Sequence, residues 1–205
     1  MWLIFCVLGA GLIGLVAAKL DPRQRKRTAL IDAIRKGDLD GLKRIATSKF
    51  NLNFCYVLHG LAMGSPLSHA FHRKDRSVAD LLIAHGASLS PKSPGNWALL
   101  GQAVRGGNLE LVELALAAGH DIHFKPRNQS KPLAAAIHRN SVPIARFLVS
   151  KGAGKEDLVP GDCRWHRMPS EAILFVRDLG IEVPPEVSDA IEKGEWDIRT
   201  PAKSA

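Results

Sequence analysis

Apolar positions recur along the middle of the chain at one phase. Ala70, Ala103 and Ala136 stand 33 residues apart, and each is followed sixteen residues later by a glycine: Gly86, Gly119 and Gly152. A leucine lies three residues before each alanine, at Leu67, Leu100 and Leu133. Downstream, Val78-x-x-Leu81-Leu82, Leu111-Val112-x-Leu114 and Ile144-x-x-Phe147-Leu148 repeat the phase. Spacings of three and four mark a helix face. A glycine just past such a run closes the helix in the left-handed conformation. Each unit therefore predicts a short helix pair, which cannot bury its apolar face alone and stacks on its neighbours.

The pattern weakens towards both ends. Leu30-Ile31-Asp32-Ala33 opens an earlier copy 37 residues before Ala70 and runs through Gly37, Leu42 and Ile45, with Lys49 where later copies have glycine. Val187 to Gly194 echoes Leu30 to Gly37, and Ala172 to Gly180 reads as a second helix with its closing glycine. Its partner around 158–168 is irregular, with Pro160 and Gly161.

Period, phasing and the fragments Ser65-Pro66-Leu67-Ser68-His69-Ala70 and Leu81-Leu82-Ile83-Ala84-His85-Gly86-Ala87 resemble ankyrin repeats. The resemblance covers about 27–198. It implies an all-α fold, an ankyrin-type α-solenoid of helix-turn-helix repeats with short hairpin loops. The expected units are 27–64, 65–97, 98–130, 131–157, an irregular 158–183 and a capping repeat at 184–198 within an array of 28–198, followed by a disordered tail at 199–205. The family's T-P-L-H opening appears here as Ser65-Pro66-Leu67-Ser68, Ala98-Leu99-Leu100-Gly101 and Lys131-Pro132-Leu133-Ala134. The Thr and His that join neighbouring repeats are mostly missing, so looser hairpins are expected.

Trp2 to Ala18 is an unbroken apolar run of 17 residues, followed by Lys19 and the basic string Arg23-Gln24-Arg25-Lys26-Arg27. In a helix it would rise about 25 Å, the short end of a bilayer span. The expectation is a single N-terminal transmembrane helix at 1–20 and a basic juxtamembrane linker at 21–27. The positive-inside rule puts the repeats on the cytoplasmic side. The alternative is a signal that is cleaved after export to the periplasm, although no charged side chain precedes the run. Gly9-Ala10-Gly11-Leu12-Ile13-Gly14 spells a dinucleotide fingerprint, but the amphipathic helix and second strand it requires do not follow.

Composition narrows the chemistry. The chain of 205 residues has three cysteines, too few for a disulfide scaffold or a four-thiolate zinc site. Lys and Arg number 28 against 20 Asp and Glu, a net charge of +8 that favours anionic partners. The excess sits in residues 28–179 (+7) and 1–27 (+4), while 180–205 carries −3. No G-x-S-x-G, H-E-x-x-H or P-loop is present. His120-x-x-His123 and Cys163-x-x-His166 have ligand-like spacing but read as ordinary loop residues. No enzyme, cofactor or metal is expected.

The resemblance implies a concave face lined by first helices and hairpin tips. Positions two and three after the key alanine would face it: Arg35 and Lys36, His72 and Arg73, Arg105 and Gly106, His138 and Arg139. Five of these eight are permanently charged, against about one in seven along the chain. The hairpin tips add Leu61, Ala62, Trp97, Arg127, Asn128, Ser130 and Lys131, with Trp97 as the anchor residue type. The expected function is a non-catalytic, membrane-tethered protein–protein interaction module. It would bind an acidic protein partner in a basic groove, as an adaptor or a toxin-neutralising protein. The alternative is engagement of anionic lipid head groups by the linker and groove. No nucleic acid is expected, because the stripe lacks interleaved aromatics.

Overall fold

The computed structural model describes residues 21–47, 50–58, 61–125, 130–159 and 162–196. Helix pairs follow one another along the chain. The first comprises α1 (Pro22–Lys36) and α2 (Leu39–Ile45). The next pairs are α3 (Pro66–His72) with α4 (Arg76–Ala84), α5 (Leu99–Gly106) with α6 (Leu109–Ala117), and α7 (Pro132–His138) with α8 (Val142–Ser150). A small antiparallel hairpin, β1 (Tyr56–Leu58) and β2 (Leu61–Gly64), joins the first two pairs, with Tyr56 opposite Gly64.

Local sequence sets the helix starts. Asp38, Ser65, Asp75 and Asn108 each cap an N-terminus by accepting from a backbone N–H three residues on, at 2.8–3.2 Å. Pro22, Pro66 and Pro132 occupy first-turn positions, where no N–H is needed. Gly86, Gly119 and Gly152 take φ of +94°, +86° and +106°, and nothing lies within 4 Å of a β-carbon built on any of them. They are present for their backbone conformation, not for space.

The repeat is a stack. Ala70, Ala103 and Ala136 are each 0% exposed, and Leu67, Leu100 and Leu133 lie buried beside them. The equivalent triads Val78/Leu111/Ile144, Ala79/Val112/Ala145 and Leu82/Ala115/Leu148 are buried in the second helices. First helices pack in the order α1, α3, α5, α7. α5 comes close to α3 at Gly106, whose added β-carbon would lie 2.5 Å from the Phe71 carbonyl oxygen.

The hairpin regions are held by residues other than the family's Thr and His. Asn53 donates to Gly86 O (3.0 Å) and accepts from Ser88 N (2.7 Å). Buried Asn96 donates to Ser88 O and Ser90 O and accepts from Ser65 Oγ. His120 Nε2 meets Leu89 O at 2.9 Å. The loops expected to be loose are thus held by hydrogen bonds, within a repeat through Asn96 and between neighbouring repeats through Asn53 and His120.

Beyond Gly152 the pairing breaks. The short 3₁₀ turns Lys155–Asp157 and Trp165–Arg167 stand where a first helix would, and lead into α9 (Ser170–Asp178) and α10 (Pro185–Glu192). Trp196 Nε1 donates to Met168 O at 3.0 Å and folds the last described residues back onto this end.

Two expectations change. Residues 22–27 are not a linker but the opening turns of α1, capped by Asp21, and Arg27 lies 4.7 Å over the Phe54 ring. The single-pass membrane localisation is corrected, because no helix among the described residues is long and apolar enough to cross a membrane. The longest of them, α1, has 15 residues and carries Arg23, Arg25, Lys26 and Arg27. Its rise is about 22 Å. The apolar run at 2–18 and the tail at 199–205 lie outside the described residues.

Two glycines of α5 test the stack. Gly106→Ala forces a methyl group into the last turn of α3 and is expected to cost about 1–3 kcal/mol. Gly101→Ala meets only the end of a flexible side chain, Arg105 Nη2 at 3.7 Å. It is expected to gain about 0.5–1 kcal/mol as a mid-helix Gly-to-Ala change. Urea unfolding followed by circular dichroism reads both.

Candidate partner-binding groove

The last turns of the first helices bring basic side chains from successive repeats together. Arg35 is exposed at the end of α1, where its guanidinium carbon lies 5.9 Å from the Tyr56 ring centre. Tyr56 stands edge-on to His69 at 6.0 Å. His69 is held at a pKa of about 4 by burial first, then by Arg35 and His72. Its buried Nε2 has no hydrogen-bond partner among the described residues. His72, one helical turn on, is also held below its ordinary value, by burial, then Arg105, then Arg139, with a hydrogen bond to Gln102 opposing. Burial likewise lowers the Arg105 guanidinium, which nonetheless stays charged at any physiological pH. The row Arg35, Tyr56, His69, His72, Arg105 and Arg139 thus draws on four helix pairs.

Other sequence candidates do different work. Arg73 donates through Nη1 to the Arg35 carbonyl and so caps the C-terminal end of α1 from the next repeat. Lys36 is exposed at the end of α1. Gly106 is buried against α3 and lines no groove. His138 turns to the C-terminal segment, with Nε2 at 3.4 Å from Asp162 and Nδ1 at 3.4 Å from Ser130 Oγ. Arg139 is exposed just beyond α7. Trp97 is half-buried in the wall of a cavity of about 130 Å³. Arg127 and Asn128 lie outside the described residues, as do the side chains of Leu61 and Ala62.

Tyr56, His69 and Gln102 were not singled out as groove residues. His69 and Gln102 each directly precede a key alanine, one turn before His72 and Arg105. That i, i+3 spacing puts each pair on one helix face and was readable. Tyr56 comes from the hairpin, and no periodicity pointed to it.

The spaced histidine pair does not converge: His120 bonds Leu89 O, while His123 Nδ1 meets both Asp157 oxygens at 2.9 Å. His123, Glu156 and Asp157 bring ligand atoms within 4.8 Å of one another. The Lys131 ammonium already stands 2.9 Å from Asp157 Oδ1. The cluster therefore works as a clamp, tying the loop before α7 to the turn after α8. Burial pushes the Cys163 thiol up to about 11, with the Asp162 charge second, which makes a thiolate ligand unfavourable beside His166.

No family model matches the chain. Over 90 residues, 44% of its length, it is 34% identical to mouse protein phosphatase 1 regulatory subunit 27, of which the match spans 58%. It is 29% identical over 130 residues, 62% of its length, to the putative ankyrin repeat protein FPV240 of fowlpox virus, covering 30% of that protein. It is 26% identical over 129 residues, again 62% of its length, to ankyrin repeat and KH domain-containing protein mask-1 of Caenorhabditis elegans, covering 5% of it. The chain thus matches little more than half the length of the phosphatase subunit and less of the others. These similarities support an ankyrin repeat family and an interaction module.

The Asp157 clamp carries a pH-dependent prediction. The carboxylate side chain is 0% exposed. Burial acts to raise its pKa, but bonds from His123, Lys131 and the Gly154 N–H win and hold it below the ordinary value. A depressed carboxylate contributes stability above its unfolded pKa of about 3.9 that is lost as pH falls through the folded value. Asp157→Ala removes the acceptor shared by three donors, two of them part-exposed, and is expected to cost about 1–3 kcal/mol at pH 7. Urea titrations should show that deficit shrinking below pH 4.

Proposed function

We propose that this ankyrin-type array is a non-catalytic module that binds an acidic segment of a protein partner along the row Arg35, His72, Arg105 and Arg139. The carrying observation is that Arg105 and Arg139, from two successive repeats, both act electrostatically on His72 of the repeat before them. Two cations whose fields meet at one side chain favour an anionic segment laid between them. Arginine suits the task because its planar fork meets a carboxylate with two parallel hydrogen bonds. Two further points support the reading. One relative is named as a regulatory subunit of a phosphatase and others as ankyrin repeat proteins. The row also lies on first-helix ends that the stack leaves exposed or half-buried. An adaptor or toxin-neutralising role is compatible with such a groove.

A fluorescein-labelled glutamate-rich dodecapeptide, followed by polarisation, tests the groove. Binding is expected to fall at least tenfold in Arg105→Glu/Arg139→Glu. It should change little in Arg177→Glu/Lys193→Glu, which makes the same change in net charge at the C-terminal end. Equal loss in both pairs reduces the effect to bulk charge and removes the groove.

The histidine sets a second expectation. In the unbound chain His72 is held below its ordinary pKa, and a bound carboxylate raises it, so binding takes up a proton. Affinity should therefore increase from pH 7.5 to 5.5, by up to about tenfold per unit of pKa shift. His72→Gln should flatten that slope.

A further inference from the structure

Beside the basic row lies a pocket of a different character. A cavity of about 130 Å³ opens between the loop before α5 and the segment leading into α7. Pro91, Trp97, Leu100, Phe124 and Pro132 give it apolar walls, and Gly101 forms part of its boundary. Phe124 is 41% exposed, one of the few large apolar side chains among the described residues left so open to water. An exposed aromatic over a concave apolar surface is the composition of an interface anchor site.

Size selects the occupant. Pockets that take cofactors and metabolites run from about 300 Å³ upwards. A cavity of about 150 Å³ lined by apolar side chains holds a molecule the size of benzene. The present cavity therefore fits one branched or aromatic side chain.

Its polar neighbours are largely occupied. His120 meets Leu89 O through Nε2, and Asp121 Oδ1 accepts from His123 N at 2.9 Å. Ser130 Oγ lies 3.4 Å from His138 Nδ1.

The pocket is joined to the basic row by one helical turn. Gly101 and Arg105 are at i, i+4 on α5, hence on one face. The Arg105 guanidinium folds back along that turn, so that Nη2 lies 3.7 Å from where a Gly101 β-carbon would stand. A residue with a small or absent side chain at 101 leaves both the cavity mouth and the guanidinium on the same stretch of surface.

We infer that this cavity is a specificity pocket for a single apolar side chain of the partner, borne next to an acidic residue that Arg105 holds. The preferred ligand is an extended acidic segment with one Leu, Ile, Met or Phe placed within two residues of an Asp or Glu. The inference rests on the groove reading above and adds the apolar requirement, which net charge alone would never impose. It also gives Trp97 a role as pocket wall, not as a projecting anchor.

The test is selection of a random dodecapeptide library displayed on phage against the full chain. Individual peptides are then compared by polarisation on the unmodified protein, Gly101→Leu and Phe124→Ala. Gly101→Leu fills the cavity from the helix side, and Phe124→Ala opens its rim at an exposed position with little consequence for folding. Selected peptides should pair an acidic residue with one apolar position. Alanine at that position should cost at least tenfold on the unmodified protein and less than threefold on either variant. Acidic peptides with no preferred apolar position, or an alanine effect equal on all three proteins, overturn the pocket and leave the groove standing. Selected peptides without acidic residues overturn both.

Discussion

Helices of seven to nine residues are too short to persist alone in water, because the nucleation cost is spread over too few hydrogen bonds. Almost every helix after α1 is of this length. Each is held by contact with its neighbours, and consecutive first helices pack directly on one another. The fully buried Ala70, Ala103 and Ala136 permit it, and at Gly106 the α5 backbone comes against the Phe71 carbonyl. The spacing of the stack, and everything carried on its rim, follows from keeping those positions small.

Close stacking has an electrostatic consequence. A basic residue recurring at one phase would be harmless on an isolated helix face. Stacked, it meets its own kind from the repeats on either side. Some of that charge is absorbed by the structure itself: Arg73 caps α1, Arg27 lies over Phe54, Lys131 closes the Asp157 clamp and Arg76 pairs with Asp80 and Glu110. Arg35, which has a long, exposed contact to Asp32 and lies by the Tyr56 ring, acts on His69, while Arg105 and Arg139 both act on His72. The positive field that Arg105 and Arg139 share at His72 is the kind a complementary anion meets.

The array was legible in the sequence because its signal is local and repeated. A period of 33, alanines at one phase and glycines at helix ends each report on residues close in the chain. The rim was legible only in part. Positions two and three after the alanine lie in the last helical turn, where a small change in termination redirects a side chain. Thus Gly106 is buried, Arg73 reaches back to α1 and His138 reaches forward to Asp162, although all three share a phase with groove residues. The loop contacts were not legible at all. Asn53 with Ser88, His120 with Leu89 and His123 with Asp157 join residues 31–35 positions apart in segments that carry no periodicity. Where the family's Thr and His are missing, sequence suggested slack, and unrelated polar side chains supply the links.

On the proposed reading, the placement of Arg105 is what would separate a binding surface from a merely charged one. A surface charge on a fully solvated stem must lose rotamer freedom on meeting its ligand, which offsets much of the gain. Arg105 is half-buried and lies back over Gly101, so much of that ordering has already occurred on folding. Its partial desolvation also lowers the local dielectric, which strengthens attraction to a carboxylate. The same desolvation is unfavourable for the cation in the unbound chain. On the proposed reading, a negative ligand against this half-buried cation, on the lip of an apolar cavity, offsets part of that desolvation cost.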